Sequence, residues 1–211
     1  MLAFAMLLFS SACDLGVSEA SVEERCEIAR SYLEAQLTLL GDEQIVFGTE
    51  PALAPLPGQN TPAAVEKAAK HFTELPWSVP QGGDVWNGRT ASERRKSDRD
   101  VDLFRQWVRK TPQANAVATC PSVRSLLKSH EIEYGDEAVA AARAERDDPD
   151  AAHEKTIAKL LLPEVSRDGA SALLEDGRQW AWLAGYGAYV RLHRDEAGGW
   201  RVIGIDTSWI S

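Results

Sequence analysis

Apolar positions recur at steps of three and four through most of the chain and give way to a two-residue alternation near its end. Val22, Cys26, Ala29, Leu33, Leu37 and Leu40 form one stripe, and Ser21 with Glu24 three residues on has capping-box spacing, so a helix is predicted over 21–40, closed by Gly41. A short strand is expected over 44–48, and the proline-rich stretch 50–62 reads as a loop. Pro62 then opens a helix to about residue 75, with Val65, Ala69, Phe72 and Leu75 on its apolar face. Residues 76–90 form a second loop carrying Trp77 and Trp86. From Ser97 a helix to 110 turns Val101, Phe104 and Trp107 or Val108 inward.

Residues 116–119 (AVAT) are expected as a strand leading to Cys120, followed by helices over 121–128 and 138–145. Asp147-Asp148-Pro149-Asp150 places negative charge where a helix N-terminus favours it, which predicts a helix over 151–162. The period then changes. Strands are expected over 170–174, 180–193 and 200–210, with Glu175-Asp176-Gly177 and Glu196-Ala197-Gly198-Gly199 as the turns between them. The fold class is therefore α+β, with N-terminal helices packed with a C-terminal three-stranded antiparallel meander. One domain is expected over 21–211, with a helical part at 21–162 and a sheet part at 165–211.

The central strand is the most informative stretch. Trp180, Trp182, Tyr186 and Leu192 share one parity, and Gly185, Gly187, Tyr189, Arg191 and His193 share the other. One face is large and aromatic, and on the other the glycines leave room for a bulge, a packed backbone or a ligand.

The 211 residues are 44% hydrophobic, enough to build a core, so a disordered tail is excluded. A net charge of -9 repels phosphate backbones, which argues against nucleic acid as a partner. The basic run 89–99 is interrupted by Glu93 and Asp98 and lacks an interleaved aromatic, so it reads as a solvated face.

Residues 1–12 (MLAFAMLLFSSA) are an uncharged apolar run, shorter than the roughly 20 residues a membrane-spanning helix needs, and read as the apolar region of an export signal. Ser10-Ser11-Ala12 before Cys13 resembles the cleavage and lipidation box of bacterial lipoproteins, with residues 13–20 as a tether. Asp14 resembles the signal that keeps some lipoproteins at the inner membrane. Cleavage after Ala12 to give a soluble secreted protein is the alternative. Export would leave Cys26 and Cys120 free to pair in an oxidising periplasm, the alternative being two small buried hydrophobes.

Val165-Ser166-Arg167-Asp168-Gly169, Ala172-Leu173-Leu174, Gly185-Tyr186-Gly187, Gly199-Trp200-Arg201-Val202-Ile203 and Ser208-Trp209-Ile210-Ser211 together resemble the C-terminal module of a group of uncharacterised secreted bacterial proteins ending in Trp-Ile-Ser. The likeness covers residues 165–211, implies a strand module and carries no activity. Where that pattern has paired cysteines around the central glycines, this chain has Trp182, Leu183, Ala184 and Gly185.

Glycine-rich phosphate loops, a nucleophile elbow and the zinc-protease histidine pair are missing from the sequence, so no cofactor or metal is expected. The acidic segment 130–137, with Glu131, Glu133 and Asp136, lacks calcium-loop spacing and reads as a solvated turn. The expected function is a noncatalytic envelope module that binds a protein, peptide or cell-wall ligand and meets the membrane only through its lipid anchor. Its contact residues would be Trp77, Trp86, Trp180, Trp182 and Tyr186. The alternative is a periplasmic hydrolase using His153 or His193 with carboxylates, which requires a concave pocket around one of those imidazoles.

Overall fold

The computed structural model describes residues 19–40, 44–51, 61–74, 77–80, 91–94, 96–110, 112–146, 155–181 and 184–210. The first helix, α1 (Val22–Leu40), starts where the cap predicts: the Ser21 hydroxyl accepts the Glu24 N–H at 3.1 Å. The Glu24 carboxylate does not close the capping box, because it pairs with Arg194 instead. Cys26, Ala29, Leu33 and Leu37 are buried as the stripe requires, but Val22 is 55% exposed since it sits in the first turn, beyond the sheet.

Strand β1 (Ile45–Phe47) follows, then α2 (Pro62–Glu74), which buries Val65, Ala69 and Phe72. The expected loop over 76–90 is corrected at its start, where β2 (Trp77–Pro80) pairs antiparallel with β3 (Ala91–Arg94). The basic run is thus partly an edge strand. Its Lys96 is buried and ion-paired, which overturns the solvated reading for that residue. Helix α3 (Asp98–Arg109) has a complete capping box between Ser97 and Asp100 and buries Val101, Leu103, Phe104 and Trp107.

Residues 116–119 are a short helix, α4 (Ala116–Thr119), and not a strand, because the Asn115 side chain accepts the N–H groups of Val117 and Ala118 and so fixes a helical turn. Helix α5 (Pro121–Ser129), the two-residue strand β4 (Glu133–Tyr134) and α6 (Asp136–Arg146) follow. The helix expected over 151–162 is also corrected. Within it, β5 (Thr156–Leu160) alternates between buried Thr156, Ala158 and Leu160 and half-buried Ile157 and Lys159. Its acidic start, 147–150, lies outside the described residues.

Strands β6 (Glu164–Val165), β7 (Ser171–Ala181), β8 (Ala184–Arg194) and β9 (Trp200–Ile210) complete the fold. The antiparallel meander β7–β8–β9 is present, but the turn expected at 175–177 is mid-strand: Asp176 is opposite Ala188 and Gly177 opposite Gly187. Trp180 therefore belongs to β7. The turn at 196–199 forms as expected, with Gly198 at φ 86 and Asp195 accepting the Gly199 N–H.

All nine described strands join one sheet, ordered β3-β2-β9-β8-β7-β5-β1-β4, with β6 paired to β7. Among the described strands the parallel pairings are those of β1 with β4 and β5. Helices cover both faces. Ile45, Phe47, Ala158, Leu160, Leu174, Val190 and Leu192 pack with α1, α4 and α5, whereas the alternate residues Leu173 and Tyr189 pack with α2 and α3. Val46 and Ile157 meet α6 on that second side. The alternation expected along the central strand holds within β8, with Tyr186 and Leu192 on one side and Tyr189 and Arg191 on the other, whereas Trp180 lies on β7 and Trp182 outside the described residues. Helices pack against both sides of the middle of β8. The register with β9 shifts between Gly187 and Ala188, a bulge beside the glycine.

A disulfide joins Cys26 of α1 to Cys120, the residue between α4 and α5, across a sequence separation of 94. Both cysteines are buried, so the bridge staples the helical layer from within.

Candidate functional site

Of the aromatic contact residues expected from sequence, the structure brings two together. Trp180 is 43% exposed and its ring centre lies 5.9 Å from that of Tyr186, which also packs on the main core. Ile210, opposite Tyr186 in register and 79% exposed, extends this apolar end of the sheet. Trp77 lies on β2; its side chain, Trp86 and Trp182 lie outside the described residues, as do residues 1–18 with Cys13, and His153. His193 is exposed near the end of β8, opposite Ser171 and Arg201, and lines neither of the hollows described below.

The acidic segment is a solvated turn around β4. Glu133 pairs with Lys155 at 3.0 Å, and Asp136 accepts the Thr49 hydroxyl. Among the described residues no cluster of three or more His, Cys, Asp or Glu could hold a metal ion.

Among the described residues a concave site lies elsewhere, between the start of α1, the C-terminal half of α3, and β6 with the turn that follows it. One hollow of about 440 Å³ is lined by Arg25, Gln106, Arg109, Lys110, Glu164 and Arg167, among others. A second of about 420 Å³ continues along α3 past Arg99, Asp102 and Arg105 to Asp168 and Ser171. The two share Gln106, Arg109, Ser166 and Arg167, so they form one groove with a common middle.

Glu164 is buried at the base of the first hollow, where Lys110 Nζ lies 2.8 Å and Arg25 4.0 Å from its carboxylate. Burial pulls the Lys110 ammonium down, but its bonds to Glu164 and Glu19 outweigh this and hold it above its ordinary value. Burial lowers Arg25, with Glu164 and Glu19 opposing. In the second hollow the Ser166 hydroxyl donates to Asp168 at 2.6 Å, and Arg99 lies 3.8 Å from the same carboxyl group. The Ser166 hydroxyl, then the Ala170 amide, keeps Asp168 below the usual carboxylate range. Arg105 is held by Glu66 and Asp102.

Among the described residues Arg109 and Arg167, which line both hollows, have no carboxylate partner, and both are exposed. Counted over both hollows, six cations face four carboxylates, the reverse of the balance of the whole chain. Sequence reasoning missed this groove because its charges come from four separate elements. The Ser166-Arg167-Asp168-Gly169 turn was the one local signal.

Two further polar groups are buried and serve the fold. Arg191 pairs with Asp100, whose other oxygen accepts from the Ser97 N–H and hydroxyl, tying the start of α3 to β8. Lys96 Nζ lies 3.1 Å from Asp206 and 4.5 Å from the centre of the Phe72 ring. Both are closed to ligand. No protein family, curated protein or solved structure matches this chain, so its own residues carry the functional argument.

Proposed function

We propose that this chain is an exported envelope protein, tethered at the inner membrane through an acylated Cys13 and facing the periplasm, which acts as a noncatalytic binding module for a protein, peptide or cell-wall ligand. The observation that carries this reading is the buried Cys26–Cys120 disulfide. Thiols of cytosolic proteins are kept reduced, so a structural bridge inside the core belongs to an oxidising compartment. The apolar run 1–12 ending at Cys13 supports the same compartment independently. The end of the sheet where exposed Trp180 and Ile210 flank half-buried Tyr186 supports a contact role, because aromatics concentrate in interfaces.

The test is an intact mass of the protein recovered from an export-competent bacterial host, before and after reduction and alkylation. The expected product begins at Cys13, carries acyl groups there, and alkylates at Cys26 and Cys120 only after reduction. An unprocessed chain with three free thiols overturns the proposal.

A further inference from the structure

We propose that the groove beneath Arg109 and Arg167 binds a phosphodiester flanked by two hydroxylated arms, as in a polyol or sugar joined through phosphate. The electrostatics select an anion. Around the groove, Glu164, Glu19, Asp102 and Asp168 are each occupied by Lys110, Arg25, Arg105 or Arg99, which leaves the two guanidinium groups of Arg109 and Arg167 as the groove's unneutralised charge. Guanidinium presents paired donors matched to phosphate or carboxylate oxygens.

The shape selects among anions. Arg109 and Arg167 stand in the shared middle, with hollows of about 440 and 420 Å³ on either side. A carboxylate or a phosphate monoester carries substituent on one side only and would leave one hollow unfilled. A phosphodiester places one negative charge between two substituents. Polar groups stand in the walls of both hollows, where Gln106, Ser166 and the ion-paired carboxylates can bond hydroxyl groups.

A phosphodiester with a hydroxylated arm on each side occurs in soluble polyol phosphates, and anionic lipid headgroups share the diester and one such arm, the other being an acylated glycerol. Glu19 belongs to the lining and is six residues from Cys13, a span of at most about 20 Å when extended. An acylated Cys13 would therefore hold the groove within reach of headgroups. Only that nearness rests on the export reading; the site itself stands without it.

The test uses the full chain with Cys13→Ser and its disulfide intact, so that acylation plays no part. Calorimetry with glycerophosphoglycerol and sedimentation with phosphatidylglycerol against phosphatidylcholine vesicles form the two arms. Saturable binding in either arm is expected, weakened at least about tenfold by Arg109→Glu/Arg167→Glu, as loss of charge-assisted bonds requires. Arg30→Glu/Arg143→Glu, which makes the same change in net charge away from the groove, should leave binding intact. Should the first variant fail to fold, Arg109→Gln/Arg167→Gln replaces it.

Binding of the soluble diester assigns a soluble source, and binding of the anionic vesicles alone assigns a lipid headgroup. No binding in either arm, or binding unmoved by the groove variants, overturns the proposal. So does inorganic phosphate or a uronic-acid disaccharide binding as tightly as the diester, because the paired arms would then contribute nothing.

Discussion

The two faces of the sheet are held by different forces. On the α1, α4 and α5 side the contacts are mostly aliphatic, and a disulfide locks the helices together. On the α2 and α3 side, Phe72 and Phe104 stack at 4.0 Å and Tyr189 meets both edge-on, but charged pairs are set among these rings. Burial lowers the Lys96 ammonium and raises Asp206, each opposed by the other's charge. A group shifted against its charged form makes folding less favourable near neutral pH. Asp206 adds stability that is present at acid pH and is lost as pH rises through its raised value; Lys96 adds stability present above its ordinary range and lost as pH falls through its lowered one. The lesson is that the first face is strong in its separate parts, whereas the second is strong only while its pairs are complete.

The largest expected effect breaks a pair on the second face. Lys96→Met leaves Asp206 buried without its cation and should cost roughly 3–5 kcal/mol in urea unfolding. Adding Asp206→Leu should recover most of that loss, since a well-packed apolar pair often equals a buried ionic one. A double variant as unstable as the single one would contradict the comparison. On the first face, Cys26→Ala/Cys120→Ala should cost roughly 2–4 kcal/mol, with the same loss at pH 6 and pH 8 because no titrating group is involved.

A smaller effect tests a polar contact on the first face. The Tyr32 hydroxyl donates to Asp176 at 2.8 Å, and burial, reinforced by that carboxylate, raises the phenol well above its ordinary value. Tyr32→Phe should destabilise by about 2 kcal/mol, read by thermal unfolding, because a buried charge loses a bond. Smallest of all, Ser166→Ala should move the Asp168 carboxyl titration upward in a carbon-detected NMR experiment. In the parent chain that depressed carboxyl contributes stability above the ordinary carboxylate range, lost as pH falls through its lower folded value. An unmoved midpoint would show that the hydroxyl does not set the charge at this end of the groove.

Much of this architecture was readable in local pattern. Ser21, Ser97 and Pro121 mark helix starts correctly, and the alternation through β8 assigns Tyr186 and Leu192 to one side and Tyr189 and Arg191 to the other. The failures share a cause, which is that a distant partner overrides a local signal. Glu175-Asp176-Gly177 has turn composition, but Tyr32 satisfies Asp176 and Gly187 faces Gly177, so the strand runs on. Residues 156–160 have a helix-like approach, but β1 and β7 pair with them from both sides. Asn115 caps a turn that the β-branched residues of AVAT hide. The groove was illegible for the same reason. Arg25, Arg109, Glu164 and Arg167 converge only once β6 folds onto β7 beneath α3, and no spacing encodes that meeting.

The place of β9 sets the order in which the chain becomes safe. Although β9 comes last in sequence among the described strands, it is interior, with β8 on one flank and β2 on the other. The β2–β3 ribbon, synthesised long before, has no sheet to join until residues 200–210 arrive. A stalled or clipped product lacking them would present the whole flank of β8 as an open edge, the kind of surface that proteases and aggregating neighbours recognise. Strand β9 thus joins the β2–β3 ribbon to the rest of the sheet, and its pairing closes an edge of β8 that would otherwise stay open.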